Sequence, residues 1–482
     1  MGAVPTSTLL SHRFSEHNQT EFAQISGDVN PLHMDPIEAR RTLMGAPVVH
    51  GMHLALLALE TICASFNQAR RIARLYARFK NPVMVGETVD WRLVNMEGEQ
   101  WRLEGSVQGD SVLELRVDWA PRSDDYDDDA IVPPLQPVPL IDLPFVELAG
   151  MAGSLQVGID PLLARRLFPF LAARVGLPTL ADLMALTRLI GMRCPGRHSL
   201  FGQFDVAFLP SKAAGVLHFR VKEIDERFSR VAIQVESDRL RGTLVAFCRP
   251  PPQPQPQLAD LMKVPQRDEF RDSVALVVGG SRGLGETTAK LLAAGGARVV
   301  ITYYRGEADA ARVAAEIQSH GGRCECEQLD ARNPVAGMER IFATSHPPRT
   351  IYYFATPHIF TRRRNFFSVD LLQRFLQYYV FGFFRLIEAA SRAKTKLCVF
   401  FPSTVAIDEQ LRETAEYSMA KQMAENLSAF YNRFSTDVEI ITERLPRVKT
   451  DQTAALMDVP AEDAATIMLP IVRRVELTSR QS

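Results

Sequence analysis

The sequence predicts two fold classes in one chain: an α+β region in which a long helix is wrapped by an antiparallel sheet, twice in succession, then an α/β region with a doubly wound parallel sheet. Three observations predict it. Two apolar helical stretches, His50 to Ile62 and Leu180 to Met192, each precede several alternating strands. The run RPPPQPQPQ, residues 249–257, reads as a polyproline II spacer. Beyond it, VALVVGGSRGLGETTAKLLAAGGARVVITYY orders a β-rich run, a glycine turn, an amphipathic helix and a second β-rich run as one βαβ unit, which implies helices on both faces of a parallel sheet.

A chain of 482 residues exceeds what one core supports, and about 150 residues per domain suggests roughly three. The blocks are 1–122, 140–248 and 267–482. The first break, Pro121 to about Pro144, is expected to be an extended, solvated connector. Its acidic cluster, Ser123 to Asp129, lacks the glycine and distal glutamate of a calcium loop. Lys plus Arg number 55 against 56 acids, for a net charge of −1, so no basic field exists to hold a nucleic acid or an anionic membrane. No apolar run approaches the roughly 20 residues of a membrane helix, and no signal peptide is visible. The start MGAVPT fits a loose myristoylation pattern, but Pro5 and the missing second signal argue for coincidence. Six cysteines without metal spacing, Cys324 and Cys326 among them, read as reduced thiols of a cytoplasmic protein, and no metal site is expected.

The chemistry of the first block sits in SGDVNPLHMD, residues 26–35. Pro31 biases Asn30 away from the α region, so a shaped loop is expected there rather than a helix. Such a loop aims the Asp28 carboxylate and the His33 imidazole at one water. Together they can remove and return its protons, as hydration of a double bond conjugated to a carbonyl requires. Downstream, His50-Gly51 opens the apolar helix, whose free N–H groups suit the enolate oxygen that develops on a thioester. The stretch FAQISGDVNPLHMDPIEARRTLMGAPVVHGM resembles the signature of MaoC-like (R)-specific enoyl-CoA hydratases, which have the hot-dog fold. The resemblance implies that Asp28 and His33 activate water, that Asn30 orders the loop, and that the Gly51 amide polarises the thioester carbonyl. His53, Leu54 and Ala55 stand where that family often has a small hydroxyl residue. The second block resembles the non-catalytic half of a double hot-dog protein, which gives its tunnel to the acyl chain. His198, in LTRLIGMRCPGRHSLFGQF, is expected to be structural.

In the third block, Gly279, Gly283 and Gly285 of VVGGSRGLG follow a strand and open a helix, which lets the backbone approach a pyrophosphate. Ser281, Arg282 and Leu284 belong to the same turn. Tyr417 and Lys421 are four apart and share a helix face, and the ammonium is expected to lower the phenol's pKa. Glycine turn, pair and interval together resemble the short-chain dehydrogenase/reductase family, with a Rossmann-type fold. The resemblance implies that Asp330 touches adenine, that Thr450 lies near the nicotinamide amide, and that either Ser403 or Thr404 holds the substrate oxygen. The second strand ends in ITYYRGEAD without an early aspartate, while Arg282 and Arg305 suit a 2′-phosphate, so NADPH/NADP is favoured over NAD. Two departures stand out: YYFATPHIF replaces an asparagine-rich turn, and Tyr379 falls where a relay asparagine is usual. Arg362, Arg363 and Arg364 read as a solvated basic turn.

The expected function is a bifunctional 3-oxoacyl-thioester reductase and (R)-3-hydroxyacyl-thioester dehydratase/enoyl hydratase. Its substrates would be carried on CoA or acyl carrier protein, in acyl-chain or secondary-metabolite biosynthesis. The alternative is a dehydratase/hydratase whose C-terminal domain binds a nucleotide or docks a carrier without reducing anything. Monomer and homodimer both stay open.

Overall fold

The computed structural model describes residues 8–66, 68–121, 132–210, 215–359, 367–393, 396–453 and 459–481. The MGAVPT start, the acidic cluster Ser123 to Asp129 and Arg362 to Arg364 lie outside the described residues. Two compact units divide between Pro251 and Pro252.

The first unit is built on ten strands: β1 (Thr8–Arg13), β2 (Arg70–Phe79), β3 (Thr88–Glu97), β4 (Gln100–Val107), β5 (Asp110–Pro121), β6 (Ala152–Gln156), β7 (Ser199–Phe208), β8 (Val216–Asp225), β9 (Arg230–Glu236) and β10 (Leu240–Cys248). All their pairings are antiparallel. Read inwards from the two edges, the order is β1-β3-β4-β5-β2 and β6-β8-β9-β10-β7. The second half thus repeats the strand order of the first, and β2 meets β7 at the seam, with Leu75 opposite Val206. Alternation sets the buried face: Phe204, Val206 and Phe208 of β7 are buried while their neighbours are partly exposed.

Each half wraps one helix. Gly51–Cys63, α3 after α1 (Glu16–Ser26) and the single turn α2 (Pro31–Met34), is Leu/Ala-rich and buries ten of its residues. Its counterpart α4 (Leu177–Arg188) is buried along its whole length and continues into a π-helical turn, Leu189–Arg193. A helix apolar on most sides belongs inside, and both share one hydrophobic core.

The connectors are partly docked on the units they border. Residues 132–144 form no regular helix or strand and six of the thirteen are exposed, but Val132 is buried, Ile141 N–H donates to the Met192 carbonyl, and Asp142 bridges to Gly196. Within the proline-rich spacer, Gln255 is buried and takes the Thr287 hydroxyl, while Lys290 donates to the Pro256 carbonyl. Backbone that prolines leave without donors still offers carbonyls, and both segments spend them on the units they border.

The second unit holds β11 (Val274–Val278), β12 (Arg298–Tyr303), β13 (Arg323–Gln328), β14 (Thr350–Tyr353), β15 (Leu397–Thr404) and β16 (Val438–Leu445). All pair in parallel in the order β13-β12-β11-β14-β15-β16, the Rossmann-type arrangement with its switch point beside β11. Alternate residues feed two cores: Ala275 and Val277 one face, Leu276 and Val278 the other. No helix among the described residues is long and apolar enough to cross a membrane, and the six cysteines are unpaired.

Candidate active sites

Helix α1 ends at Gly27, whose φ of 71° turns the chain into the predicted loop. Asn30 has the expected non-helical backbone, yet the loop expectation needs correcting, because Pro31–Met34 closes one helical turn. Proline suits the first position of that turn, and the Asn30 carbonyl oxygen Oδ1 caps it at the Leu32 N–H, 3.0 Å away. The Asn30 amide also donates to the carbonyls of Gly191, at 2.8 Å, Gly196, at 3.2 Å, and Arg197, at 3.3 Å. It orders the turn, and it clamps the turn to the second half.

That turn sets His33 beside Asp28. One ligand-type atom each from Asp28, His33 and His50 lies within 4.8 Å of the others. His33 Nδ1 is 2.7 Å from the Val48 carbonyl, which assigns the proton to Nδ1 and leaves Nε2 available to a water. Its ring stacks on His50 with centroids 3.9 Å apart. His50 is fastened on both sides: Gln19 Oε1 accepts its backbone N–H and faces Nδ1 at 2.9 Å, and Nε2 lies 3.0 Å from the Asp28 carbonyl. Burial drives His50 well below its usual pKa, and a neutral ring there donates to only one of these two oxygens. Both His50 nitrogens and Nδ1 of His33 thus lie within hydrogen-bond distance of an oxygen.

Burial also pushes the Asp28 carboxyl up from the usual carboxylate range, against the pull of His33, the Thr187 hydroxyl and the Arg188 guanidinium. Burial lowers His33, with Asp28 pulling the other way. The opposed shifts bring the proton affinities of the two groups closer together. Gly51 opens α3, and His50 provides no side-chain cap, so the first N–H groups remain available. A Cβ at Gly51 would come within 3.1 Å of Phe79, which explains glycine there. His53 is buried, stacks on Phe22 with centroids 4.5 Å apart, and is held down at about 3. His198 pairs with Asp142 at 3.0 Å.

In the second unit, Gly279 has a φ of +81° and Gly283 of +55°, and a Cβ at Gly285 would lie 2.2 Å from the Gly279 carbonyl oxygen. The turn therefore admits only glycine where its backbone crosses itself. Helix α5 (Gly283–Ala294) opens with no side-chain cap at Arg282, and this cradle fits a dinucleotide phosphate. Ser281 is buried, and Leu284 packs on the core with its carbonyl taking the Thr288 hydroxyl. The Thr450 methyl would be 3.5 Å from a Cβ on Gly283.

Two predicted cofactor contacts are already engaged. Arg282 pairs with Asp451 at 3.0 Å, so of the two expected phosphate ligands Arg305 alone stays exposed, its guanidinium 5.2 Å from the Tyr304 ring centre. Asp330 is held by the Arg332 guanidinium, with Nη2 to Oδ2 at 2.7 Å, which depresses its pKa. Arg332 was not legible as a site residue; a cation two positions after an acid is common in any turn.

Tyr417 and Lys421 share helix α6 (Ala415–Phe434) as predicted. Their electrostatics differ from expectation. Burial pushes the phenol up to about 12 and the ammonium down to about 7. Lys421 Nζ donates to the Pro402 carbonyl and lies 4.2 Å from the Tyr379 ring centre, 4.6 Å from Phe401 and 5.8 Å from Tyr417. It lies nearer the Tyr379 and Phe401 ring centres than that of Tyr417. Tyr379, fully buried, shares a short hydrogen bond with Thr356. Strand alternation separates the two hydroxyl candidates: Thr404 hydrogen-bonds Tyr417, while Ser403 donates to Glu425.

Sequence reasoning missed Thr187, Arg188 and Gly191. They lie some 160 residues from Asp28, on a helix with no motif to mark them.

Comparison with known proteins matches each site to a domain. A MaoC like domain model matches residues 4–115, and a short chain dehydrogenase model matches residues 273–429. An (R)-specific enoyl-CoA hydratase from Aeromonas caviae is 50% identical over 81 residues, 17% of this chain and 60% of that protein. A 3-oxoacyl-[acyl-carrier-protein] reductase from Synechocystis sp. is 45% identical over 60 residues, 12% of this chain and 24% of that protein. The chain thus spans less than two thirds of the length of either relative. Among solved structures, an alcohol dehydrogenase from the archaeon Thermococcus sibiricus, complexed with 5-hydroxy-NADP, matches with a TM-score of 0.39 at 18% identity, covering 43% of this chain and 92% of that one. The chain carries a MaoC-like dehydratase domain towards its N-terminus and a short-chain dehydrogenase domain towards its C-terminus.

Proposed function

We propose that the chain is a bifunctional enzyme acting on acyl thioesters, a 3-oxoacyl reductase joined to an (R)-3-hydroxyacyl dehydratase/enoyl hydratase. The observation that carries the reading is the convergence of Asp28 and His33 beside the uncapped start of α3. In hydration, one of the pair takes a proton from water as the C3–O bond forms, and C2 receives a proton from the pair, which ends as it began. The Gly51 N–H holds the charge that develops on the thioester oxygen. Dehydration is the same path reversed. The repeated strand order supports a double hot-dog reading, with residues 1–122 and 140–248 as its halves and 267–482 as the reductase domain.

At the second site, the glycine turn 279–285 would hold the pyrophosphate of NADP, Arg305 its 2′-phosphate, and Thr450 the nicotinamide end. Bound NADPH supplies hydride. Tyr417 gives a proton to the carbonyl oxygen that Thr404 also holds, and Lys421 supports the phenol. The acyl group would arrive on CoA or an acyl carrier protein.

A second reading is favoured by one observation: Lys421 faces Tyr379 and Phe401 more closely than Tyr417, whose phenol burial pushes to about 12. In that reading the C-terminal domain binds nucleotide without reducing. One assay separates the two: NADPH oxidation with acetoacetyl-CoA, followed together with enoyl absorbance. Coupled NADPH loss and enoyl formation support the bifunctional enzyme; crotonyl-CoA hydration without NADPH loss supports the second reading.

A further inference from the structure

The Asp28 carboxylate is held by the second half of its unit, from helix α4. Thr187, near the end of α4 and buried, donates its hydroxyl to Asp28 Oδ2 at 2.8 Å. Four residues on, Gly191 approaches so closely that a Cβ there would lie 2.1 Å from Asp28 Oδ1. Between them Arg188 is fully buried. Its Nη2 donates to the Gln156 carbonyl at 2.6 Å, while Nε and Nη1 have no hydrogen-bond partner, and Asp28 is the acid whose charge acts on it. A guanidinium buried this way needs a counter-charge nearby. The Asp28 carboxylate is thus faced by His33 on α2, the Asn30 N–H, at 3.3 Å from Oδ1, and Thr187 and Arg188 on α4, while His50 at the start of α3 meets its backbone carbonyl.

We propose that Thr187 and Arg188 are positioning residues for the Asp28 and His33 pair. The hydroxyl fixes the carboxylate through Oδ2, and the guanidinium replaces the counter-charge that water would supply. The second half is then part of the catalytic apparatus as well as a wall for the acyl chain. The inference rests on the hydratase reading above.

Thr187→Val removes the donor at nearly constant shape, Thr187→Ser restores it, and Thr187→Ala serves if valine packs badly. In the full chain, Thr187→Val should move the acid limb of kcat/KM for crotonyl-CoA hydration up by about one to two pH units, the worth of a hydrogen bond to a charged group. Thr187→Ser should return it. A profile that drops in height without moving along the pH axis overturns the proposal and leaves Thr187 a packing residue. A second readout needs no turnover: infrared titration of the Asp28 carboxyl, isolated by subtracting Asp28→Asn. Its midpoint should rise in Thr187→Val and in Arg188→Gln and stay near wild type in Arg188→Lys; an unmoved midpoint overturns the proposal. If wild type fails to hydrate crotonyl-CoA while the midpoint moves, the hydratase reading fails and the positioning role stands.

Discussion

The two sites treat burial in opposite ways. Around Asp28, burial raises the carboxyl, but an imidazole from α2 and a hydroxyl and a guanidinium from α4 stand against it. Around Tyr417, burial raises the phenol and the Thr404 hydroxyl opposes it, while the Lys421 ammonium is itself pushed down to about 7. A buried acid stays usable when partners offset desolvation, and the difference teaches that matching motif residues do not guarantee matching electrostatics.

The largest test crosses the sites. Asp28→Asn should lower crotonyl-CoA hydration by about 10²-fold or more, the usual worth of a general base, and leave NADPH oxidation unchanged. Tyr417→Phe should do the reverse, by a similar factor, measured on acetoacetyl-CoA. Loss of both activities in either variant would break the comparison.

Gly191→Ala tests the close approach. Its methyl would meet the Asp28 carboxylate, so hydration should fall at least about ten-fold and stability by about 1–3 kcal/mol, the usual cost of overpacking. Thermal unfolding and hydration rates measure the two.

A smaller effect separates the hydroxyls. Thr404→Val should slow NADPH oxidation by about ten-fold, as loss of one hydrogen bond to a reacting group does, whereas Ser403→Ala should change it less than about three-fold. Equal effects would put Ser403 back in the site.

The mildest test is pH. Asp28 works as a base only when ionised, so hydration should be present above its raised pKa and fall as pH drops through it, above the ordinary value of 3.8. Lys421 is depressed from 10.5 to about 7, so the unfolded chain binds the extra proton between those values. Its burial therefore weakens the fold most below about pH 7, and the penalty is relieved as pH rises towards 10.5. Lys421→Met should flatten that part of the stability curve, measured by denaturant titration.

Much of this was legible in the string of residues. The periods of the strands and helices, the glycine turn, Asp28 with His33 and Tyr417 with Lys421 all lie within short windows, where backbone preference and spacing act. The expectation of a shaped loop without helix at 26–35 missed one helical turn, because Pro31 restricts the residue before it yet favours helix at its own position. The choice between Ser403 and Thr404 needed only strand parity, but parity needs to know which face of β15 meets α6.

Local chemistry, then, specified which elements form and which titratable side chains stand close together in the sequence. Tertiary structure decided the rest: that α4 delivers Thr187, Arg188 and Gly191 to Asp28, that Asp451 occupies Arg282, and that Lys421 turns towards Tyr379. The physical reason is that pKa and hydrogen-bond occupancy depend on what surrounds a group in space, and those neighbours come from chain segments whose separation no local pattern records.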